Sequence, residues 1–208
     1  MTVKLLPCLF LVLGLVLSNC RQGIKTEQDF YKWLNDENNG LVKTRKANGL
    51  VISLKYLPSD FIVWKETKGK GFNKAQIDSL ANLNKGSLTF LLTVAPEKEE
   101  QGDVMYQGIT NTQEYKQKAY GLNFRLGEFI TIQQRQKDYH PLFVTLENTY
   151  SVTNSRTFYI VFSEKDIPLS DSLQVVFNDE FFGTGINHFN FKRSDFNHVP
   201  VLSWNSNI

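Results

Sequence analysis

The sequence predicts an α+β fold, mainly an antiparallel β-sheet or sandwich, with a few short helices in the N-terminal half. Segments before Asn84 carry apolar residues at helical spacing, whereas from Phe124 onward apolar and polar residues alternate. The alternating segments are separated by polar or proline-bearing turns, at a spacing that suits antiparallel pairing. The chain also contains 16 Phe, 8 Tyr and 3 Trp, and aromatic residues favour strands and large buried contacts.

The helical segments have recognisable ends. Thr26 is a good N-cap, with acids in the first turn that suit the helix dipole, and Asn39-Gly40 is a left-handed C-terminal cap. A short helix is predicted over residues 60–66 and an amphipathic one over residues 73–84. Residues 112–121 are weakly helical.

The strand segments are bounded by turn signals. Asn48-Gly49 predicts a hairpin between residues 43–46 and 50–56. Residues 86–95 form the most continuous apolar strand, which Pro96 ends. Further strands are predicted at residues 129–132, 142–146, 156–162, 173–177 and 186–191, with a last edge strand at 199–204.

Residues 1–20 read MTVKLLPCLFLVLGLVLSNC. One cation, Lys4, precedes an apolar run that is shorter than the ~20 residues of a comfortable membrane span and has the length of a signal-peptide core. The run ends in Leu17-Ser18-Asn19 directly before Cys20. This ending resembles the lipobox of bacterial lipoproteins, especially those of the Bacteroidetes. An ordinary signal peptide with cleavage nearby and an uncleaved anchor are the alternatives.

The lipobox resemblance implies that Cys20 becomes the diacylglycerol-modified and palmitoylated first residue after cleavage. The chain then divides into a signal peptide (1–19), a lipidated tether (20–26) and a single globular domain (27–208). Surface-exported lipoproteins of the Bacteroidetes often carry acids just after the cysteine, but here Arg21 follows it and the first acid is Glu27. The resemblance therefore implies a place in the cell envelope, at the outer membrane facing the periplasm.

Removal of the signal peptide leaves no free thiol, because Cys8 lies within it and Cys20 carries lipid. Disulfides, thiolate metal sites and a cysteine nucleophile are thereby excluded. Lys4 also leaves, so the basic side chains of the remaining chain outnumber the acidic ones by one. This near-neutral balance does not indicate a nucleic-acid partner.

Four residues are candidates for chemistry: Asp179, Glu180, His188 and His198. Histidines ten residues apart can meet across a hairpin and could bind zinc with a carboxylate, although a strand exit followed by a glycine turn accounts for the same sequence. No Gly-x-Ser-x-Gly motif is present, and we predict neither a metal nor a cofactor.

The sequence therefore favours a non-enzymatic, membrane-anchored envelope lipoprotein, a binding or assembly subunit with an envelope protein partner. The alternative is a periplasmic hydrolase that uses the acidic and histidine residues named above. Aromatic residues could form a binding platform, but core filling is the favoured interpretation for Trp33, Trp64, Phe181, Phe182 and Trp204.

Two short segments match the O-glycosylation motif of exported Bacteroidetes proteins: Asp171-Ser172-Leu173 and Asp78-Ser79-Leu80. We predict glycosylation at Ser172, which follows a turn, ahead of Ser79, which lies within a predicted helix.

Overall fold

The computed structural model describes residues 26–147, 153–168 and 170–200. Two antiparallel sheets and several helices fill these ranges, which confirms the predicted α+β class. The helices are α1 (Glu27–Asn35), α2 (Ser59–Thr67), α3 (Lys74–Asn84), α4 (Thr112–Phe124) and α5 (Arg193–Asn197). The strands are β1 (Val42–Ala47), β2 (Leu50–Leu57), β3 (Ser87–Pro96), β4 (Ile130–Gln134), β5 (Lys137–Tyr139), β6 (Phe143–Leu146), β7 (Arg156–Ser163), β8 (Ser172–Asp179) and β9 (Gly185–Lys192).

The strands form one five-stranded sheet, in the order β1-β2-β3-β7-β6, and one four-stranded sheet, in the order β5-β4-β8-β9. Each neighbouring pair in the five-stranded sheet is antiparallel. The same holds in the four-stranded sheet. Short hairpins supply several of these connections, as the regular spacing of turn signals predicts.

The predicted Asn48-Gly49 hairpin is confirmed. Asn48 has φ of 51° and Gly49 of 72°, and two consecutive positive φ values are what a two-residue type I′ turn requires. The turn sets Ala47 opposite Leu50. This register points Leu50, Ile52 and Leu54 of β2 into the core, where each is fully buried.

The main core lies between the two sheets. Period-two alternation aims every second side chain of the strands at it; in β9, for example, Phe189 and Phe191 are buried whereas His188 and Asn190 are exposed. The five-stranded sheet contributes Ile52, Leu54, Phe90, Leu92, Phe158 and Ile160, and the four-stranded sheet contributes Ile132, Leu173, Val175, Phe177, Phe189 and Phe191.

A second cluster covers part of the outer face of the five-stranded sheet. Helices α1 and α2 supply Phe30, Leu34, Phe61 and Trp64, which pack with Leu41 and Leu57. The rings of Phe30 and Phe61 lie 5.2 Å apart. We call these two helices and their buried side chains the covering layer.

Local signals position the covering layer. The Thr26 hydroxyl accepts a hydrogen bond from the Asp29 N–H (3.1 Å), so the predicted N-cap is confirmed. Gly40 ends the following turn with φ of 77°, and a Cβ there would lie 2.1 Å from an Asp195 carboxylate oxygen. Only glycine fits both the backbone conformation and this close approach.

Several features differ from the sequence-based expectation. Helix α4, predicted at residues 112–121, extends to Phe124, and the short helix α5 was not predicted. The short strand β5 was not predicted; it follows a turn in which Arg135 and Gln136 have φ of 48° and 61°. The predicted edge strand at 199–204 lies mostly outside the described residues. Among the helices that the structure describes, none combines the length and hydropathy needed to cross a bilayer.

Candidate functional site

The outer face of the four-stranded sheet exposes Asn178, Ile186, His188 and Asn190, and the 3₁₀ turn Leu126–Phe129 borders it. The strand registers place Thr131 opposite Val176 and Val176 opposite His188. A parallel row runs from Asp138 through Gln133 and Gln174 to Asn190. We call this surface, made of the outward side chains of β4, β5, β8 and β9, the open face.

A groove of about 360 Å³ lies on the open face. Its polar lining carries hydroxyl, amide, imidazole and carboxylate groups, and its apolar lining consists of Phe129, Val176 and Ile186. Ile186 is 60% exposed although it is a large aliphatic residue. The polar lining residues are Glu128, Thr131, Gln133, Asp138, His140, Asn178 and His188.

Many outward side chains of the open face are short neutral hydrogen-bonding groups, and the carboxylates of Glu128 and Asp138 also line its groove. The Gln174 side-chain amide donates to the Asn190 carboxamide oxygen across β8 and β9 (2.9 Å). Amides and imidazoles provide both donors and acceptors. They can therefore bind a ligand's polar groups without a net charge of their own.

The two histidines of the groove stand at its opposite sides. His188 is on β9, whereas His140 follows β5, with β4 and β8 between them. Three strand spacings put their backbones roughly 14 Å apart, which is too far to share one metal ion. Within the ranges 26–147, 153–168 and 170–200, no three His, Cys, Asp or Glu side chains are grouped for metal binding.

Asp179, one of the predicted site residues, closes the turn between β8 and β9. Its carboxylate accepts hydrogen bonds from the backbone N–H groups of Phe181 (2.8 Å), Phe182 (3.0 Å) and Thr184 (2.8 Å). It also accepts one from the Thr184 hydroxyl (2.6 Å). The residue is only 7% exposed, so its oxygens are engaged in shaping the turn.

The other predicted residues do not converge on Asp179. Asp179 pairs with Gly185 on the core side of the sheet, whereas His188 pairs with Val176 on the open face. The two side chains therefore project from opposite faces. Glu180 is exposed in the turn, and His198 follows α5, beyond the far end of β9.

The remaining candidates fall into three groups. Trp64 and Phe182 are buried, and Trp33 and Phe181 are half-buried against the cores; core filling was the favoured interpretation for these aromatics. Ser172 and Ser79 are both exposed, the first at the start of β8 and the second on α3. Cys20 and Trp204 lie outside the described residues.

Sequence reasoning missed the open face as a site, although its signal is visible. The segment Ile186-Asn187-His188-Phe189-Asn190 alternates, and its outward members are not the lysines and glutamates usual on a solvated strand. Asp138 and His140 could not be assigned to the groove, because β5 was not predicted.

No protein-family model, curated protein or solved structure matches this chain. The chain's own residues therefore carry the functional inference.

Proposed function

We propose that this chain is a non-enzymatic envelope lipoprotein, anchored through Cys20, that acts as a binding or assembly subunit and uses the open face to bind its partner. The observation that carries the binding role is the difference between the two outer sheet faces. One is covered in part by α1 and α2, while the other has a groove lined by the exposed Ile186 together with Phe129, Val176 and polar residues. Exposed apolar groups rimmed by polar ones are typical of interaction sites.

The side chains of the open face differ from those of a sheet face that is merely solvated, and this supports a binding role. An antiparallel sheet commonly leaves one face in water, so exposure alone would indicate little. Here, however, Ile186 is exposed beside Phe129 and Val176, within reach of His188 and Asn178 in one groove. A partner surface with its own hydrogen-bonding groups fits such a lining.

The binding role is tested by photo-crosslinking in the native host. A photoreactive residue at His188 or at Ile186 should give a discrete adduct with an envelope protein. The matched control is Glu100, an exposed loop residue away from the open face. Equal adduct patterns at all three positions would argue against the open face as the binding surface.

The anchoring role is supported by the lipobox resemblance at Leu17-Ser18-Asn19-Cys20. A diacylglycerol group plus a third acyl chain exceeds the two signals needed for stable membrane attachment. In Cys20→Ala, we therefore expect membrane partition to be lost. A Cys20→Ala chain that still fractionates with membranes at its unprocessed mass would indicate an uncleaved helix instead.

We also propose O-glycosylation of Ser172, and secondarily of Ser79, in a Bacteroidetes host. Both residues are exposed, so a bulky solvated sugar is accommodated without repacking. The intact mass of protein purified from its own host should exceed that of the lipidated polypeptide, and Ser172→Ala should remove most of the excess. A mass equal to the lipidated polypeptide would refute the modification.

A further inference from the structure

The connection between α2 and α3 is a basic, exposed turn. Residues 68–74 read Lys-Gly-Lys-Gly-Phe-Asn-Lys, with three lysines and no acid. All of them are exposed except Phe72, which is half-buried. We call residues 68–74 the basic turn.

The basic turn projects from the molecule. Nothing lies within 4 Å of a Cβ built on Gly69 or on Gly71. Helix α3, which continues from the turn, has no buried residue, and its Leu83 is 74% exposed. This helical hairpin is therefore free to contact a large external surface.

The structure also places the basic turn beside the start of the folded chain. The Lys68 ammonium forms a salt bridge with the carboxylate of Glu27, the first residue of α1. The same ammonium lies 5.0 Å from the centre of the Trp64 ring. The Lys68 end of the basic turn therefore lies beside Glu27, where the N-terminal segment joins α1.

The length of that segment limits how far the turn can be from the anchor. Six residue steps separate Thr26 from Cys20, and even a fully extended chain of this length spans at most about 22 Å. An acylated Cys20 lies at the membrane surface. Lys68 can consequently be brought to the headgroups while the protein is anchored.

We propose that the basic turn is the membrane-facing surface of the anchored protein and binds anionic phospholipid headgroups. This inference rests on the proposed anchoring at Cys20. Lysines close to an anionic leaflet attract it electrostatically, and each contributes about fivefold to the partition coefficient. The projecting turn supplies three of them.

The existing ion pairs of the turn do not oppose this contact. Lys68 pairs with Glu27 and Lys74 with Asp78 (2.9 Å), and the lysine side chains of both pairs are more than half exposed. Exposed pairs of this kind are weak and screened by salt.

The test uses the full chain reconstituted into vesicles, with benzoylphenylalanine in place of Phe72. The vesicles contain phosphatidylethanolamine with or without phosphatidylglycerol, and lipid adducts are quantified by mass spectrometry after illumination. The control position is Tyr106, an exposed aromatic residue on a different part of the fold. We expect lipid adducts at position 72, enriched at least fivefold over position 106 in the vesicles with phosphatidylglycerol.

Replacing the three lysines of the basic turn tests whether their charge is needed for the contact with lipid. Lys68→Gln/Lys70→Gln/Lys74→Gln should lower the adduct yield at position 72 by about tenfold or more. The matched control is Lys116→Gln/Lys137→Gln/Lys165→Gln, which removes the same charge from exposed lysines elsewhere and should change the yield less than twofold. Circular dichroism checks that both variants fold.

Three results would overturn the proposal, and they are distinguishable. If the chain does not float with vesicles, the proposed anchoring at Cys20 is wrong. The proposed membrane-facing position of the basic turn, which depends on that anchoring, is then wrong as well. If the chain floats but positions 72 and 106 give equal lipid adducts, only the orientation is wrong. If position 72 gives a protein adduct instead of lipid in native membranes, the basic turn binds an acidic protein segment.

Discussion

The two sheets share one core but differ in what their outer faces do. The outer face of the five-stranded sheet lies in part under α1 and α2, whose Phe30, Leu34, Phe61 and Trp64 are buried in the covering layer. The outer face of the four-stranded sheet carries the half-buried Thr131 and Gln133 and the exposed Asn178 and His188. The first arrangement adds buried apolar area, and the second leaves hydrogen-bonding groups accessible.

The burial patterns of the strands reflect this difference. In β3, Leu88, Thr89 and Phe90 are consecutive buried residues, as expected of a strand packed on both faces. In β9, buried and exposed residues alternate along the strand from Asn187 to Lys192, as expected of a strand packed on one face. The outer face of the five-stranded sheet thereby contributes buried area to stability, whereas the outer face of the four-stranded sheet stays accessible.

The covering layer should dominate the effect of substitutions on stability. Phe30 is fully buried and contacts the rings of Trp33 and Phe61. We expect Phe30→Ala to lower the free energy of unfolding by about 3–5 kcal/mol, because it removes a large side chain and leaves a cavity. Denaturant unfolding monitored by circular dichroism measures this change.

The matched substitution on the open face is Ile186→Ala. It removes an exposed aliphatic side chain, so we expect a change within about 0.5 kcal/mol. A loss below about 1 kcal/mol for Phe30→Ala, or a comparable loss for both variants, would show that the two outer faces do not differ energetically.

Much of this architecture follows from local sequence. The Asn48-Gly49 turn and the Thr26 cap each act within a few residues, and each was predicted with its mechanism. Gly40 has the predicted left-handed conformation, but α1 already ends at Asn35 and Gly40 caps the separate 3₁₀ turn Glu37–Asn39. Strand alternation likewise predicted a strand at residues 186–191, and a period of two then sets Phe189 and Phe191 on the core side.

The open face could not be predicted in the same way, because it depends on strand order. Asp138 and His188 are far apart in sequence, and only the order β5-β4-β8-β9 places them at one groove. Proximity along the chain was misleading for Asp179 and His188, since nine residues that include a turn put them on opposite faces of one sheet.

The turn at the end of the four-stranded sheet should be sensitive even though the open face is not. Asp179→Ala removes an acceptor used by three backbone N–H groups and one hydroxyl. We expect a loss of about 3 kcal/mol, because the N–H groups near Phe182 are left unsatisfied. Asp179→Asn, which keeps one carbonyl oxygen, should lose less.

Crosslinking to the partner distinguishes a role of Asp179 in shaping the turn from a role in binding. If crosslinking at His188 persists in folded Asp179→Asn, then Asp179 acts on the turn alone. Full stability of Asp179→Ala in chemical denaturation would contradict the role assigned to its carboxylate.

Alkaline pH should destabilise the protein through Tyr56, which lies where the covering layer meets the main core. Burial, followed by the nearby carboxylates of Glu164 and Asp60, raises the pKa of Tyr56 to about 12. The unfolded chain loses the phenolic proton near pH 10, whereas the folded chain keeps it. The stabilisation is therefore complete below pH 10 and is lost as the pH rises towards 12, by roughly 2–3 kcal/mol.

Tyr56→Phe isolates this contribution. The variant keeps the ring that stacks on Phe196 at 3.9 Å, but it has no proton to lose. The difference in unfolding free energy between the two proteins should therefore change by roughly 2–3 kcal/mol between pH 10 and pH 12. A difference that stays constant over this range would mean that the Tyr56 hydroxyl titrates normally.

The smallest effect concerns the open face itself, where the Gln174 amide donates to Asn190 across two strands (2.9 Å). Cross-strand polar pairs contribute about 0.2–1 kcal/mol, and here water competes for both groups. A double-mutant cycle with Gln174→Ala, Asn190→Ala and the double variant should therefore give a coupling free energy below about 1 kcal/mol. A coupling well above that value would mean that the pair is shielded from water, and the open face would then be covered by another part of the chain.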